Sequence, residues 1–411
     1  MTTTLSANSI PPASAPLRED SIIMALVGLS HASSHFSHLL LPLMFPIFMK
    51  EFGWTFTDLG MMSSLFFVVS GAGQACSGFV VDRFGARPIL FAALGLFALA
   101  CLIASVANSY PAMMLVAVLA GLGNCAFHPL DFTILNQRIS SARLGYAFSV
   151  HGLTGSLGWA VAPLFMGVMS TVFGWRSAYT AASFLYLLIL ALMVFNRDKL
   201  LTSTVKRQVN LPRSHDMAFM RLPVVWWCFC FFLLSTVTLA VVQNFSLPIL
   251  QALHQVSFEA ATLTLTVYML CSALGVVVGG FVASSFPFRS DRIVASSMCG
   301  GAMLLAVCAS GWLGALGTMT VLAATGFAVG IGGPSRDLMI KKATPPGATG
   351  RMYGLVYSGF DVGFAVSPLV FGAFMDRGWY SATLACAAAV LMLSVGVALG
   401  VGRNTGPVQA G

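Results

Sequence analysis

The sequence contains few charged residues and no sign of a soluble catalytic domain. Only 8% of its 411 residues are Asp, Glu, Lys or Arg, against about 25% in typical soluble domains. All nine cysteines lie in apolar segments, so no disulfide framework or metal-binding cysteine pair is expected. No nucleotide-binding loop or catalytic triad signature is present. We therefore expect no enzyme, no cofactor and no bound metal.

Long apolar runs take the place of the missing charge. Hydrophobic residues make up 57% of the chain, and a helix of about 20 apolar residues crosses a bilayer. A β-barrel would instead show short alternating strands. The runs predict an all-α polytopic membrane protein with twelve transmembrane helices, at residues 21–49, 58–81, 88–108, 111–136, 144–173, 177–196, 222–250, 258–284, 291–314, 317–342, 352–376 and 380–402.

The distribution of positive charge predicts the orientation. With both termini in the cytoplasm, most of the 21 Lys and Arg residues fall on the cytoplasmic side, as the positive-inside rule requires. This asymmetry also accounts for the net charge of +8 without a nucleic-acid partner. We predict a multi-pass protein of the cell inner (plasma) membrane, with the lipid bilayer as its partner.

The polar breaks divide the chain into five parts. Residues 1–20 are rich in Ser, Thr, Pro and Ala and are predicted to be disordered. Residues 197–221 form the longest polar segment and are predicted to be a cytoplasmic linker. It separates an N-terminal six-helix bundle at 21–196 from a C-terminal six-helix bundle at 222–403, and a short tail follows at 404–411.

The two halves repeat one another in sequence. Three pairs of segments align in the same order: residues 78–87 with 280–289, 158–164 with 363–369, and 174–175 with 378–379. Such a repeat predicts two pseudo-symmetric bundles related by an axis along the membrane normal, with the binding site between them.

The segment after the second predicted helix carries a recognisable pattern. Its residues Gly78, Asp82, Arg83, Gly85 and Arg87 resemble the signature loop of the major facilitator superfamily. The resemblance implies a monomeric transporter of twelve helices that moves a small-molecule substrate by alternating access. It also implies that Asp82 and Arg83 help to latch the two halves in the outward-facing state. An acidic side chain can stabilise the positive end of a helix, although a tight turn with cytoplasmic anchors would explain the same residues.

Charged residues at membrane depth are functional candidates, because each costs several kcal/mol unless it faces protein or water. The superfamily resemblance implies that the first, fourth, seventh and tenth helices line the central cavity. Asp131 and His128 belong to the fourth helix and Arg336 to the tenth. We predict that Asp131 and Arg336 meet across the seam and gate the cytoplasmic side. A fixed structural ion pair or a solvated charge is the alternative, and Asp337 is expected on another face.

Three histidines lie on one face of the first helix. His31, His35 and His38 have the i, i+4, i+7 spacing that aligns side chains. Histidine titrates near neutral pH and suits a proton relay. Histidines four residues apart can also share a metal ion. Buried rings bonded to neighbouring helices are the third interpretation.

Other polar residues within apolar segments complete the candidate site. Gln243 and Asn244 on the seventh helix are predicted to bind substrate, unless they hydrogen-bond between helices. His151 on the fifth helix, and Tyr357 and Asp361 on the eleventh, are predicted to be linked to proton transfer, unless they pack between helices.

These residues together predict a proton-coupled symporter of a small organic anion. Arg336 would bind the carboxylate, and Asp131 and the histidines would carry the proton. One alternative is a proton-driven drug or metabolite efflux antiporter, since Phe127-His128-Pro129 resembles a segment of fosmidomycin-resistance-type exporters. A transporter of a metal or a metal chelate is the second alternative.

Overall fold

The computed structural model describes residues 17–203, 218–286, 289–343 and 349–404. Over these residues the chain forms fourteen α-helices and no strand. They are α1 (Leu17–Leu40), α2 (Phe45–Phe52), α3 (Phe56–Phe84), α4 (Ala86–Val106), α5 (Tyr110–Asn124), α6 (Phe127–Arg138), α7 (Leu144–Phe173), α8 (Trp175–Phe195), α9 (Pro223–His254), α10 (Phe258–Ser285), α11 (Ser290–Ala309), α12 (Ala315–Ala343), α13 (Thr349–Asp376) and α14 (Tyr380–Asn404).

These helices form twelve apolar spans long enough to cross a membrane, which confirms the predicted fold class. Two spans are each made of two helices. α1 and α2 are joined through a short 3-10 segment that opens at Pro42, whose ring nitrogen cannot donate an α-helical hydrogen bond. α5 and α6 are separated at Cys125 and Ala126.

The first helix begins at Leu17, before the predicted start at residue 21. Glu19 and Asp20 occupy its first turn, where negative charge stabilises a helix. Asp20 is fully buried and accepts a hydrogen bond of 2.6 Å from Arg143 Nε. The predicted disorder is therefore wrong for residues 17–20. The rest of that segment, residues 204–217 of the predicted linker and residues 405–411 of the tail lie outside the described residues.

The N-terminal half comprises α1–α8 and the C-terminal half α9–α14. Across the seam between them, α3 packs against α13 and α7 packs against α10. Small residues allow this approach. A Cβ on Gly60 of α3 would lie 2.3 Å from the Pro368 carbonyl oxygen of α13, and one on Gly167 of α7 would lie 2.9 Å from Thr262 Oγ1 of α10.

The aligned segments 174–175 and 378–379 each contain a glycine with a positive φ. Gly174 follows α7 with a φ of 83°, and Gly378 follows α13 with a φ of 72°. Only glycine adopts such a φ at little cost, and a tryptophan follows each one. The hydrogen bonds of the two turns differ, because the Gly174 N–H donates to the Ser170 carbonyl oxygen and the Gly378 N–H to that of Met375.

Candidate functional site

The histidines of α1 share one face, as their spacing predicts. The ring centroids of His31 and His35 are 4.5 Å apart, and those of His35 and His38 are 5.2 Å apart. This face is turned towards α6 and α7 of the same half. The ring of His35 packs at 4.3 Å from Trp159 of α7.

Asp131 of α6 lies among these histidines and is fully buried. His151 Nε2 of α7 and Asp131 Oδ2 form a hydrogen bond of 3.1 Å. His31 Nδ1 lies 3.0 Å from the same oxygen but outside hydrogen-bond geometry. The His128 ring is 5.3 Å from that of His31. We call His31, His128, Asp131 and His151 the histidine–aspartate cluster.

Glycines of α7 make room for the imidazoles. A Cβ on Gly155 would lie 2.8 Å from His35 Cε1 and 2.9 Å from His31 Nε2. One turn further on, a Cβ on Gly158 would lie 2.1 Å from the carbonyl oxygen of Ala32. The glycine-rich sequence of α7 thus brings its backbone against α1 and leaves space for two rings.

A second polar network continues from His38. The indole N–H of Trp159 can only donate, and it does so to His38 Nδ1 at 3.2 Å. The Nε2 of a neutral His38 must therefore carry the proton and donate to Asn124 Oδ1 at 3.1 Å. The Asn124 amide nitrogen donates in turn to Ser70 Oγ of α3 at 2.8 Å. Sequence analysis missed Trp159 and Ser70, and of this network it had singled out His38.

The predicted pairing of Asp131 with Arg336 is wrong in this structure. Asp131 engages His31 and His151 of its own half. Arg336 Nε instead donates to Asp337 Oδ1 at 2.9 Å, although these neighbours were expected on different faces. The rotation of α6 turns Asp131 towards α1 and α7, so its Oδ2 is hydrogen-bonded within its own half, whereas its Oδ1 is buried without a hydrogen-bond partner among the described residues.

The C-terminal half contributes a separate group of polar and aromatic side chains. The guanidinium of Arg336 lies 5.0 Å from the centroid of the Phe232 ring, a cation–π contact. The Tyr357 ring is 4.8 Å from the same phenylalanine. Arg336 retains 28% side-chain exposure.

Gln243 and Asn244 of α9 are buried, with 3% and 2% exposure. Asn244 Nδ2 donates to the Ala240 carbonyl oxygen at 2.8 Å. Gln243 Nε2 and Asn244 Oδ1 are buried without a hydrogen-bond partner among the described residues. Buried amide groups normally have a hydrogen-bond partner, and a polar group of a substrate would supply one here. That these residues bind substrate stays a prediction.

Asp361 of α13 is the predicted residue that reaches across the seam. Gln74 Nε2 of α3 donates to Asp361 Oδ2 at 3.3 Å. A Cβ on Gly71 would lie 3.0 Å from the Asp361 Cβ. Asp361 therefore belongs to the contact between the halves rather than to the histidine–aspartate cluster.

The loop that resembles the superfamily signature lies between α3 and α4. Gly85 has a φ of 82°, so glycine is required there. A Cβ on Gly78 would meet nothing within 4 Å, so close helix packing does not explain that glycine. Asp82 and Arg83 are exposed, and Arg87 lies 3.5 Å from the Arg197 carbonyl oxygen.

Three histidines of the cluster could hold a metal ion. One ring nitrogen from each of His31, His128 and His151 lies within 4.8 Å of the others. Imidazole nitrogen is a common ligand of transition metals. Sequence spacing had suggested a metal pair on α1 alone, whereas the structure draws its three histidines from three helices.

Comparisons with known proteins agree with this architecture. A sequence model of the Major Facilitator Superfamily matches residues 27–323 and 240–409. The "Uncharacterized MFS-type transporter YfnC" of Bacillus subtilis (strain 168) is 25% identical, over 93% of this chain and 95% of that protein. The "Fosmidomycin resistance protein" of Escherichia coli (strain K12) is 24% identical, over 86% of each chain. The "Probable L-galactonate transporter" of Escherichia coli (strain K12) is 22% identical, over 63% of this chain and 62% of that protein.

Solved structures show the same fold. A bacterial homolog of the human lysosomal transporter Spinster, in an inward-facing and occupied conformation, has a TM-score of 0.68 at 12% sequence identity. The match covers 96% of this chain and 97% of that one. With the family match along its length and twelve apolar spans, the chain belongs to the major facilitator superfamily of membrane transporters.

Proposed function

We propose that this protein is a proton-coupled secondary transporter of a small organic anion that works by alternating access. The observation that carries the proposal is Asp131, a carboxylate without exposure, placed between His31 and His151 inside a membrane-spanning bundle. A charge at this depth is costly, and the imidazoles offset that cost by sharing protons with it.

The cluster can exchange a proton without a large rearrangement. Asp131 Oδ2 is within 3.1 Å of ring nitrogens on both α1 and α7. The His128 ring of α6 lies 5.3 Å from the ring of His31 and 6.4 Å from that of His35. A change in protonation alters the forces that hold α1, α6 and α7 together. Movement of the N-terminal half thereby becomes linked to the uptake and release of protons.

Arg336 supports an anionic substrate. Its guanidinium forms strong paired hydrogen bonds with carboxylates, and the described partner Asp337 is itself 49% exposed. A carboxylate on the solute would compete with Asp337 for this cation. One relative is named as a probable L-galactonate transporter, and galactonate is a carboxylate, which also supports a carboxylate substrate.

Uptake into proteoliposomes tests proton coupling directly. The outside of the vesicles is made more acidic than the inside, and the uptake of a panel of radiolabelled carboxylates is measured. We expect Asp131→Asn to abolish gradient-driven accumulation, by more than about tenfold, because the cluster loses its ionisable carboxyl group. Exchange of the same solute at equal pH on both sides should persist. Undiminished accumulation by Asp131→Asn would contradict proton coupling through this cluster.

Efflux of a drug is the second candidate, favoured by the relative named for fosmidomycin resistance. It predicts that Arg336→Ala still transports and that neutral or cationic lipophiles compete for transport. Loss of carboxylate transport in Arg336→Ala, with the same thermal stability as the parent, would support the anion transporter instead.

Transport of a metal cation is the third candidate, favoured by the three clustered histidine nitrogens. It predicts Zn²⁺ or Co²⁺ entry into proteoliposomes loaded with a metal-sensitive dye. His128→Ala would stop that entry, whereas His254→Ala, a change at the far end of α9, would not. Metal entry without carboxylate transport would replace the proposed function.

A further inference from the structure

A carboxylate of the C-terminal half joins the two halves at the end remote from the chain termini. Asp376, the last residue of α13, reaches the first turn of α3. Its Oδ1 accepts a hydrogen bond of 2.6 Å from the Phe56 backbone N–H. Its Oδ2 accepts from the Thr57 backbone N–H at 2.9 Å and from Thr57 Oγ1 at 2.5 Å.

This contact satisfies backbone N–H groups at the start of α3. The first backbone N–H groups of a helix have no partner within the helix, and its N-terminus attracts negative charge. Some of the N-terminal groups of α3 are satisfied within the N-terminal half, where Thr55 and Asp58 form a capping box. Asp376 satisfies two further N–H groups from the other half. The cap of α3 therefore depends partly on the two halves being together.

The second seam has a similar contact at the same end. Thr171 Oγ1, near the end of α7, donates to Glu259 Oε1 in the first turn of α10 at 3.3 Å. In both seams the C-terminal half supplies the carboxylate and the N-terminal half supplies the donor. Both contacts would be lost if this end opened.

The contact lies at one end of a long seam between α3 and α13. The two helices run antiparallel, as shown by three contacts along them: Gly60 with Pro368, Phe67 with Phe364, and Gln74 with Asp361. The face of α3 that carries Gly60 and Phe67 therefore lies in this seam.

We infer that Asp376 is a releasable cap that holds the end remote from the termini closed. Its carboxylate lies in the last turn of α13, where it caps the first turn of the antiparallel α3. The inference does not depend on which solute or ion is carried.

The test is the reactivity of a cysteine placed in the seam. Ser64 of α3 is 2% exposed and lies on the same helix face as Gly60 and Phe67. Ser64→Cys is introduced, and a membrane-impermeant maleimide is added on each side of the membrane in turn. Labelling of the parent chain measures the background from native cysteines. From the side remote from the termini, we expect Asp376→Asn to raise the rate of Ser64→Cys labelling about tenfold, equivalent to about 1.4 kcal/mol.

The matched control is Asp58→Asn, which alters the cap of the same helix without crossing the seam. It should leave the labelling rate within about twofold. Should Asp376→Asn unfold the protein in a thermal melt, Thr57→Val removes one donor more gently and should raise the rate about threefold. An unchanged rate in the folded variant, or an equal rise in Asp58→Asn, overturns the cap.

Discussion

Asp131 shows how a single carboxylate is accommodated inside this bundle. Its type and depth in the sequence predicted a functional residue, but its partner was assigned to the wrong half. The carboxylate lies within 3.1 Å of nitrogens on His31 and His151. The side-chain direction depends on how α6 is rotated about its axis, and residue spacing in one sequence does not determine that rotation.

Trp159 provides a prediction at the same scale. Trp159→Phe keeps an aromatic ring beside His35 but removes the only donor to His38 Nδ1 that the described residues supply. We expect a loss of about 1 kcal/mol of stability, the usual value of one hydrogen bond, measured by thermal melting in detergent.

Trp226→Phe is the control for Trp159→Phe. Its indole also donates to a protein acceptor, the Met220 carbonyl oxygen at 2.8 Å, but Trp226 is 44% exposed. Water can replace that bond, so a smaller loss of stability is expected. Equal losses of stability in the two variants would show that the buried hydrogen bond of Trp159 contributes no more than the exposed one of Trp226.

At the scale of helices, small residues determine how closely α1 and α7 approach. Gly158 meets the backbone of α1, whereas Gly155 meets imidazole side chains. The sequence places both glycines in the fifth predicted span. It did not distinguish the glycine that faces backbone from the one that faces the cluster, because that distinction requires the position of α1.

Alanine substitutions along α7 test this difference. Gly158→Ala should destabilise the protein by about 1–3 kcal/mol, because a buried backbone contact is overpacked. Gly155→Ala should fold but reduce proton-driven uptake about tenfold or more, because His31 and His35 must move. For both variants, thermal melting measures the stability and proteoliposome assays measure the proton-driven uptake.

Gly152→Ala is the matched control on α7, since a Cβ there would meet nothing within 4 Å. It should be neutral or slightly stabilising, as alanine favours helix over glycine. The interpretation of the series fails if Gly152→Ala impairs uptake as strongly as Gly155→Ala.

At the scale of the whole molecule, the two halves meet along two seams that close at the same end. Asp376 serves one seam and Glu259 the other, and they share no described partner. If each half moves as a unit, opening this end breaks both contacts at once. Their effects on the equilibrium between states should then add.

The double variant Asp376→Asn, Glu259→Gln tests this coupling through labelling of Ser64→Cys. The free energies derived from the two single variants should sum to that of the double variant within about 0.5 kcal/mol, as for sites without shared partners. Ser64→Cys lies in the α3–α13 seam, whereas Glu259 lies in the α7–α10 seam. If Glu259→Gln leaves the labelling rate of Ser64→Cys unchanged, the two halves do not each move as a unit.

The sequence by itself determined the class of molecule, the twelve spans and the superfamily, because these depend on the length of apolar runs and on a local motif. Orientation in the membrane, proton coupling and substrate stay predictions. Only the tertiary structure decided that Asp131 joins three histidines of its own half while Asp361 and Asp376 cross the seam. The physical reason is that these contacts depend on the rotation and register of packed helices, which local sequence does not specify.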